Sequence, residues 1–186
     1  MGTVWPVDLD TFNAATWTEA NAVLLSCCAS QQFATTVEAG RPYPSLTALE
    51  DAISVAFESL TWDDVLDALN GHPRIGARAD GGSAGAGREV GRGRLAGKTR
   101  PGKHGQSAGE QSGVTDSDRA ALAGANAEYE ARFGHVFLIC ASGLTGGQML
   151  AELHARLGNN LYTERIVATR ELHKITVLRL RKALSS

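Results

Sequence analysis

Apolar positions along this chain recur at three- and four-residue spacing and seldom alternate, so the segments that carry them predict helices. Asp8 to Ala15 predicts a short helix with Asp8 or Asp10 as cap. Thr18 to Val37 predicts one longer helix with Ala22, Leu25, Ala29 and Phe33 on its apolar face and Cys28 near it as a small core residue. Gly40-Arg41-Pro42-Tyr43-Pro44 ends that pattern. Ser45 caps the next segment, which runs to about Ser59 and buries Leu49, Ile53, Ala56 and Phe57. Thr61, with Asp64 three residues on, starts a helix that must stop at Gly71, because Pro73 pushes His72 out of helical backbone.

The pattern resumes at Thr115, which caps a long helix with Asp118 at its third position and Leu122, Ala125, Tyr129 and Phe133 on its core face. Gly134 ends it. His135 to Cys140 is the most strand-like run, too short and solitary for a sheet. Gly146 to Leu157 and about Thr163 to Leu184 predict the last two helices. The reading is an all-α single domain over residues 1–186, a bundle of about seven or eight helices.

Residues 77–109 are different material. Ten glycines lie between Gly81 and Gly109 and six basic residues between Arg88 and Lys103, with almost no large apolar side chain. Such a stretch buries too little surface to offset its ordering entropy, which predicts a flexible Gly/Arg-rich loop. Gly97-Lys98-Thr99 echoes a phosphate-binding loop, but Arg92 stands where the first glycine is required and no strand precedes it. The Arg-Gly spacing also allows a different class of function, a non-catalytic helical module that binds a polyanion through this loop.

Composition narrows the classes. With 186 residues, 43% apolar and 20% charged, the chain has the balance of a globular domain with a real core. A formal net charge of −2 provides no global field to recruit nucleic acid or an anionic membrane. No apolar run approaches the roughly 18–20 residues needed to span a bilayer. The N-terminus lacks the basic start and apolar stretch of a secretion signal, so a cytoplasmic location is expected. Three cysteines, two of them adjacent at Cys27 and Cys28, suit neither a disulfide framework nor a zinc site, and no metal or other cofactor is signalled.

Two stretches hold candidate chemistry. His72 sits on the rim of a helix end with an unperturbed pKa near neutrality, suited to moving protons. Ser107-Ala108-Gly109-Glu110-Gln111 gathers a hydroxyl, a carboxylate and an amide just before the Thr115 helix. On the final helix Ala168, Leu172 and Ile175 line one face, and Arg179 lies two turns beyond Leu172 on the same stripe, with Arg181 opposite. An arginine in a core-facing stripe is costly unless paired, which implies a buried carboxylate from protein or substrate.

Taken in order, these stretches resemble the family of 2-oxo-4-hydroxy-4-carboxy-5-ureidoimidazoline (OHCU) decarboxylases, which make (S)-allantoin in urate breakdown. The resemblance runs through Arg41-Pro42-Tyr43 and Ser45 to Leu49, Gly71 to Gly76, Ser107 to Gln111, Arg132-Phe133-Gly134 with Phe137 to Cys140, and Glu171 to Ile175 with Leu178 to Leu180. It implies cofactor-independent decarboxylation of a small ureidoimidazoline. His72 and Glu110 would be the catalytic pair, and Pro73, Ser107, Gln111, Phe137, Leu138, Ile139, Cys140, Ala141 and Arg179 the substrate-binding set. It implies no nucleic-acid or membrane partner, and the family's common dimeric state raises a homodimer as an expectation. His135-Val136 stands where the family usually has Phe-Pro, and His104, His135, His154 and His173 match none of its functional positions.

Overall fold

A computed structural model describes residues 8–76 and 115–184. Among the described residues there are eight helices and no strand. They are α1 (Leu9–Ala14), α2 (Trp17–Cys27), α3 (Gln31–Ala39), α4 (Leu46–Glu58), α5 (Trp62–Asn70), α6 (Asp116–Phe133), α7 (Gly146–Leu157) and α8 (Leu161–Leu184). No described helix is long and apolar enough to cross a membrane. The Gly/Arg-rich stretch 77–109 falls outside the described residues.

Helix starts follow local chemistry. Asp8, Ser30, Ser45, Thr61, Thr115 and Thr145 each accept a hydrogen bond from the backbone N–H three residues on, satisfying a donor the helix itself cannot. Thr61 with Asp64 and Thr115 with Asp118 form reciprocal capping boxes, as their spacing predicts. Gly134 ends α6 at φ 77°, a left-handed backbone that a side chain would strain.

The predicted helix Thr18 to Val37 is in fact two. Ser30 accepts from the Phe33 N–H at 3.2 Å and so starts a new helix, while Cys28 before it is extended at φ −139° and ψ 118°. A hydroxyl that can cap competes with helix continuation, and here it wins. The buried face shifts accordingly, to Val23, Leu24 and Cys27 of α2 and to Phe33, Ala34 and Val37 of α3; Ala22 is exposed. Cys28 is fully buried, as expected of a small core residue.

Two hydrophobic clusters result. One gathers α1 to α5 around α8, and the other lies where α6 packs on α7. The long helix α8 crosses α2, α4 and α5, burying Ala168, Leu172, Ile175 and Leu180. The backbone after α6 threads between the clusters: Val136, Leu138 and Cys140 belong to the first, Phe137, Ile139 and Ala141 to the second. That alternation is the period of an extended chain buried on both faces. Arg41 meanwhile donates to Phe12, Asn13 and Ala15 carbonyls at 2.6, 3.1 and 2.9 Å, satisfying the C-terminus of α1.

Candidate active site

The end of α5 sets up its histidine. The Gly71 N–H donates to the Ala68 carbonyl at 3.1 Å and the His72 N–H to Leu69 at 2.9 Å, closing a last turn at which Gly71 is the cap with right-handed backbone. Pro73 prevents continuation, and the His72 ring folds back so that Nδ1 lies 2.8 Å from the Ala68 carbonyl. A carbonyl can only accept, so its partner assigns the proton to Nδ1. That leaves a lone pair on Nε2, which faces Arg179 Nη1 at 3.0 Å. A guanidinium has no lone pair, so Arg179 donates.

Both members are buried, His72 at 9% exposure and Arg179 at 7%. The Arg179 stripe on α8 is as expected, and among the described residues its guanidinium meets the His72 imidazole. The imidazole thus lies at the C-terminal end of α5, between a backbone carbonyl and a guanidinium.

A third wall comes from the break between α2 and α3. Leu25, Ser26, Cys27 and Ala29 line a narrow cleft with Gly71, His72 and Arg179. None of these four stands out in the sequence, although Ser30 as a cap is the signal that would have revealed the break. The His72 loop is anchored from α6: Arg74 grips Glu130 through two bonds of 2.6 and 2.7 Å, and Asn126 Nδ2 donates to the Ile75 carbonyl at 2.9 Å. Gly76, at φ 81°, turns the chain against Leu122 where a Cβ would sit 3.3 Å from a methyl group. Pro73 is half-buried beside His72. Ser107, Glu110 and Gln111 lie outside the described residues. Among the described residues no group of three or more His, Cys, Asp and Glu could hold a metal ion.

The extended segment carries the other predicted set. Phe137, Leu138, Ile139 and Ala141 are buried and Cys140 half-buried. Arg156 Nη1 donates to the Leu138 carbonyl at 2.7 Å, and the Cys140 N–H donates to Glu171 Oε2 at 2.9 Å. Arg156 in turn pairs with Glu164, whose other oxygen takes Asn159 Nδ2 at 2.7 Å, and the Tyr129 hydroxyl donates to Glu164 as well. Burial pushes the Tyr129 phenol up, so it stays protonated as that donor. This cluster has no signature in local sequence, since Arg156 and Glu164 sit on different helices.

His135 proves to be a packing residue. Its ring stands edge-on to Trp62 and Tyr129 at 5.3 and 5.4 Å. Burial lowers its pKa, and burial lowers that of His173 too. An unfolded chain therefore takes up these protons near pH 6.5 while the fold resists them. Their contribution is present above pH 6.5 and lost as pH falls below it. The melting temperature is expected to drop between pH 7.5 and 5.5, and His135→Phe to remove part of the drop. An identical pH dependence in the variant would show that His135 does not contribute.

The eight described helices bring a buried histidine and a buried arginine together beside a narrow cleft. The sequence model of the family described as OHCU decarboxylase matches residues 13–181, and the chain belongs to that family. It is 32% identical over 163 residues to the uric acid degradation bifunctional protein TTL of Arabidopsis thaliana, covering 86% of this chain and 45% of that protein. It thus spans less than half of that relative's length. It is 34% identical over 152 residues to the 2-oxo-4-hydroxy-4-carboxy-5-ureidoimidazoline decarboxylase of Amia calva, covering 79% of this chain and 77% of that one. An OHCU decarboxylase crystallised in the presence of (S)-allantoin superposes with a TM-score of 0.67 at 28% identity, over 87% of this chain and 96% of that one.

Proposed function

We propose that this chain converts OHCU to (S)-allantoin and CO2 without a cofactor, as a step of urate degradation. The observation that carries the reading is the buried His72–Arg179 pair, with Nε2 of the imidazole poised as a base. Heterolysis of the bond to the carboxylate sends its electron pair toward the adjacent ring C=N, whose nitrogen takes a proton. The resulting enol returns its hydroxyl proton to a base while the neighbouring carbon is protonated on one face. One proton is consumed overall and no external oxidant or reductant is needed. His72 Nε2 serves the hydroxyl, Arg179 holds the anionic oxygen that displaces the imidazole from it, and Glu110 partners His72. Pro73 flanks the ligand, Ser107 and Gln111 hydrogen-bond it, and the segment Phe137 to Ala141 lines it.

The chain works as a cytoplasmic homodimer on a small molecule, with no nucleic-acid or membrane partner. The polyanion-binding alternative rests on residues 88–103, and no described feature favours it. The test generates fresh OHCU from urate with urate oxidase and hydroxyisourate hydrolase, adds this protein, and follows the circular dichroism of (S)-allantoin. The expected result is rapid appearance of the enantiomer. Progress no faster than spontaneous decay would sink the reading.

A further inference from the structure

Among the described residues, side chains grip the extended segment along one edge, and the other edge is met only at its end, where the Leu144 N–H donates to the Ala141 carbonyl at 3.0 Å. In an extended chain the N–H and C=O of one residue point the same way, and those of the next residue point oppositely. Leu138 and Cys140 share an edge, and on it Arg156 takes the Leu138 carbonyl at 2.7 Å and Glu171 the Cys140 N–H at 2.9 Å. The two anchors come from α7 and α8, and each is itself fixed: Arg156 by Glu164, and Glu171 by Lys174 Nζ at 2.6 Å on its other oxygen. Phe137 and Ile139 face the other edge. Among the described residues neither their N–H nor their C=O groups have a hydrogen-bond partner, although both residues are buried. Buried peptide groups are seldom left in that condition unless something else meets them.

We propose that Glu171 and Arg156 are positioning residues that hold this segment so that the Phe137–Ile139 peptide edge pairs with the N–H and C=O groups of a cyclic ureide. A planar ligand with donor and acceptor side by side fits such an edge as an added strand would. Neither residue touches the ligand; each sets the rotation of the peptide planes that do. The inference rests on the ureide substrate proposed above.

Glu171 is the position to test, because losing Arg156 would leave Glu164 buried without its partner. Glu171→Gln keeps an oxygen at the same reach for the Cys140 N–H but drops the charge. Glu171→Asp keeps the charge one methylene short of that N–H. If reach to the backbone is what matters, Glu171→Asp raises KM and the Kd for (S)-allantoin about tenfold, with kcat within about threefold of the wild type. Glu171→Gln should stay within about threefold in all three constants. Both variants lose or weaken the Lys174 pair, so a purely structural role would move their melting temperatures alike and leave KM untouched. Unchanged KM and Kd in Glu171→Asp, or the opposite order of the two variants, would overturn the inference while the active wild type leaves the decarboxylase reading intact. An inactive wild type would overturn both.

Discussion

His72→Ala is expected to lower kcat on freshly generated OHCU by about 10²–10⁴-fold, the contribution of a positioned general acid–base group. The buried ring meets the Ala68 carbonyl and Arg179. Its removal takes away the proposed proton carrier and the Nε2 acceptor that faces Arg179 Nη1, a loss of about 1–3 kcal/mol in a buried setting. The melting temperature should fall by only a few degrees, so the activity loss will not be a folding artefact. His72→Gln sharpens the test, since an amide can donate and accept in that space but cannot cycle a proton. Its kcat should stay close to that of the alanine variant. Activity within about threefold of wild type in either variant would remove His72 from the chemistry. Arg179→Met should act differently, weakening binding as well as turnover, because it deletes the cation expected to hold an anionic oxygen.

The largest effect on stability is expected at Arg156. Its guanidinium is 3% exposed, pairs with a fully buried Glu164, holds the Leu138 carbonyl and lies 4.6 Å from the Phe137 ring centre. Breaking a buried pair strands the remaining charge, which costs about 3–5 kcal/mol. For a domain of this size Arg156→Met should lower the melting temperature by roughly 6–20 °C. Glu164→Gln leaves a neutral acceptor for Tyr129 and Arg156 and should cost less. The double variant should cost less than the sum of the two, because the second change removes the group the first one stranded. Equilibrium denaturation of the four proteins measures this coupling directly. Strict additivity would mean that the pair contributes no interaction of its own.

Much of the fold is legible in local sequence for a plain reason. Each predicted cap at Asp8, Ser45, Thr61 and Thr115 is a hydrogen bond spanning three residues, and the core faces of α4 and α6 follow from helical period alone. Leu49, Ile53, Ala56, Phe57, Leu122, Ala125, Tyr129 and Phe133 are all buried as that period requires. The α2–α3 break was legible in principle, since Ser30 is a capping residue, but an apolar pattern running across it pointed the other way. The site divides similarly. His72 at a proline-stopped helix end and Arg179 on an apolar stripe were visible as separate oddities.

The sequence by itself determined the helical class, most helix boundaries, the family, and the two polar residues that had no bland place to go. Tertiary structure alone decided that those two meet, because they lie 107 residues apart and no local rule connects them. It also decided that Arg156 and Glu171 hold one edge of the segment from Phe137 to Ala141, and that His135 fills an aromatic slot between Trp62 and Tyr129. Caps and periods are short-range and are written in neighbouring residues. Pairings of buried polar groups depend on which helices pack together, and that is set by the whole core at once.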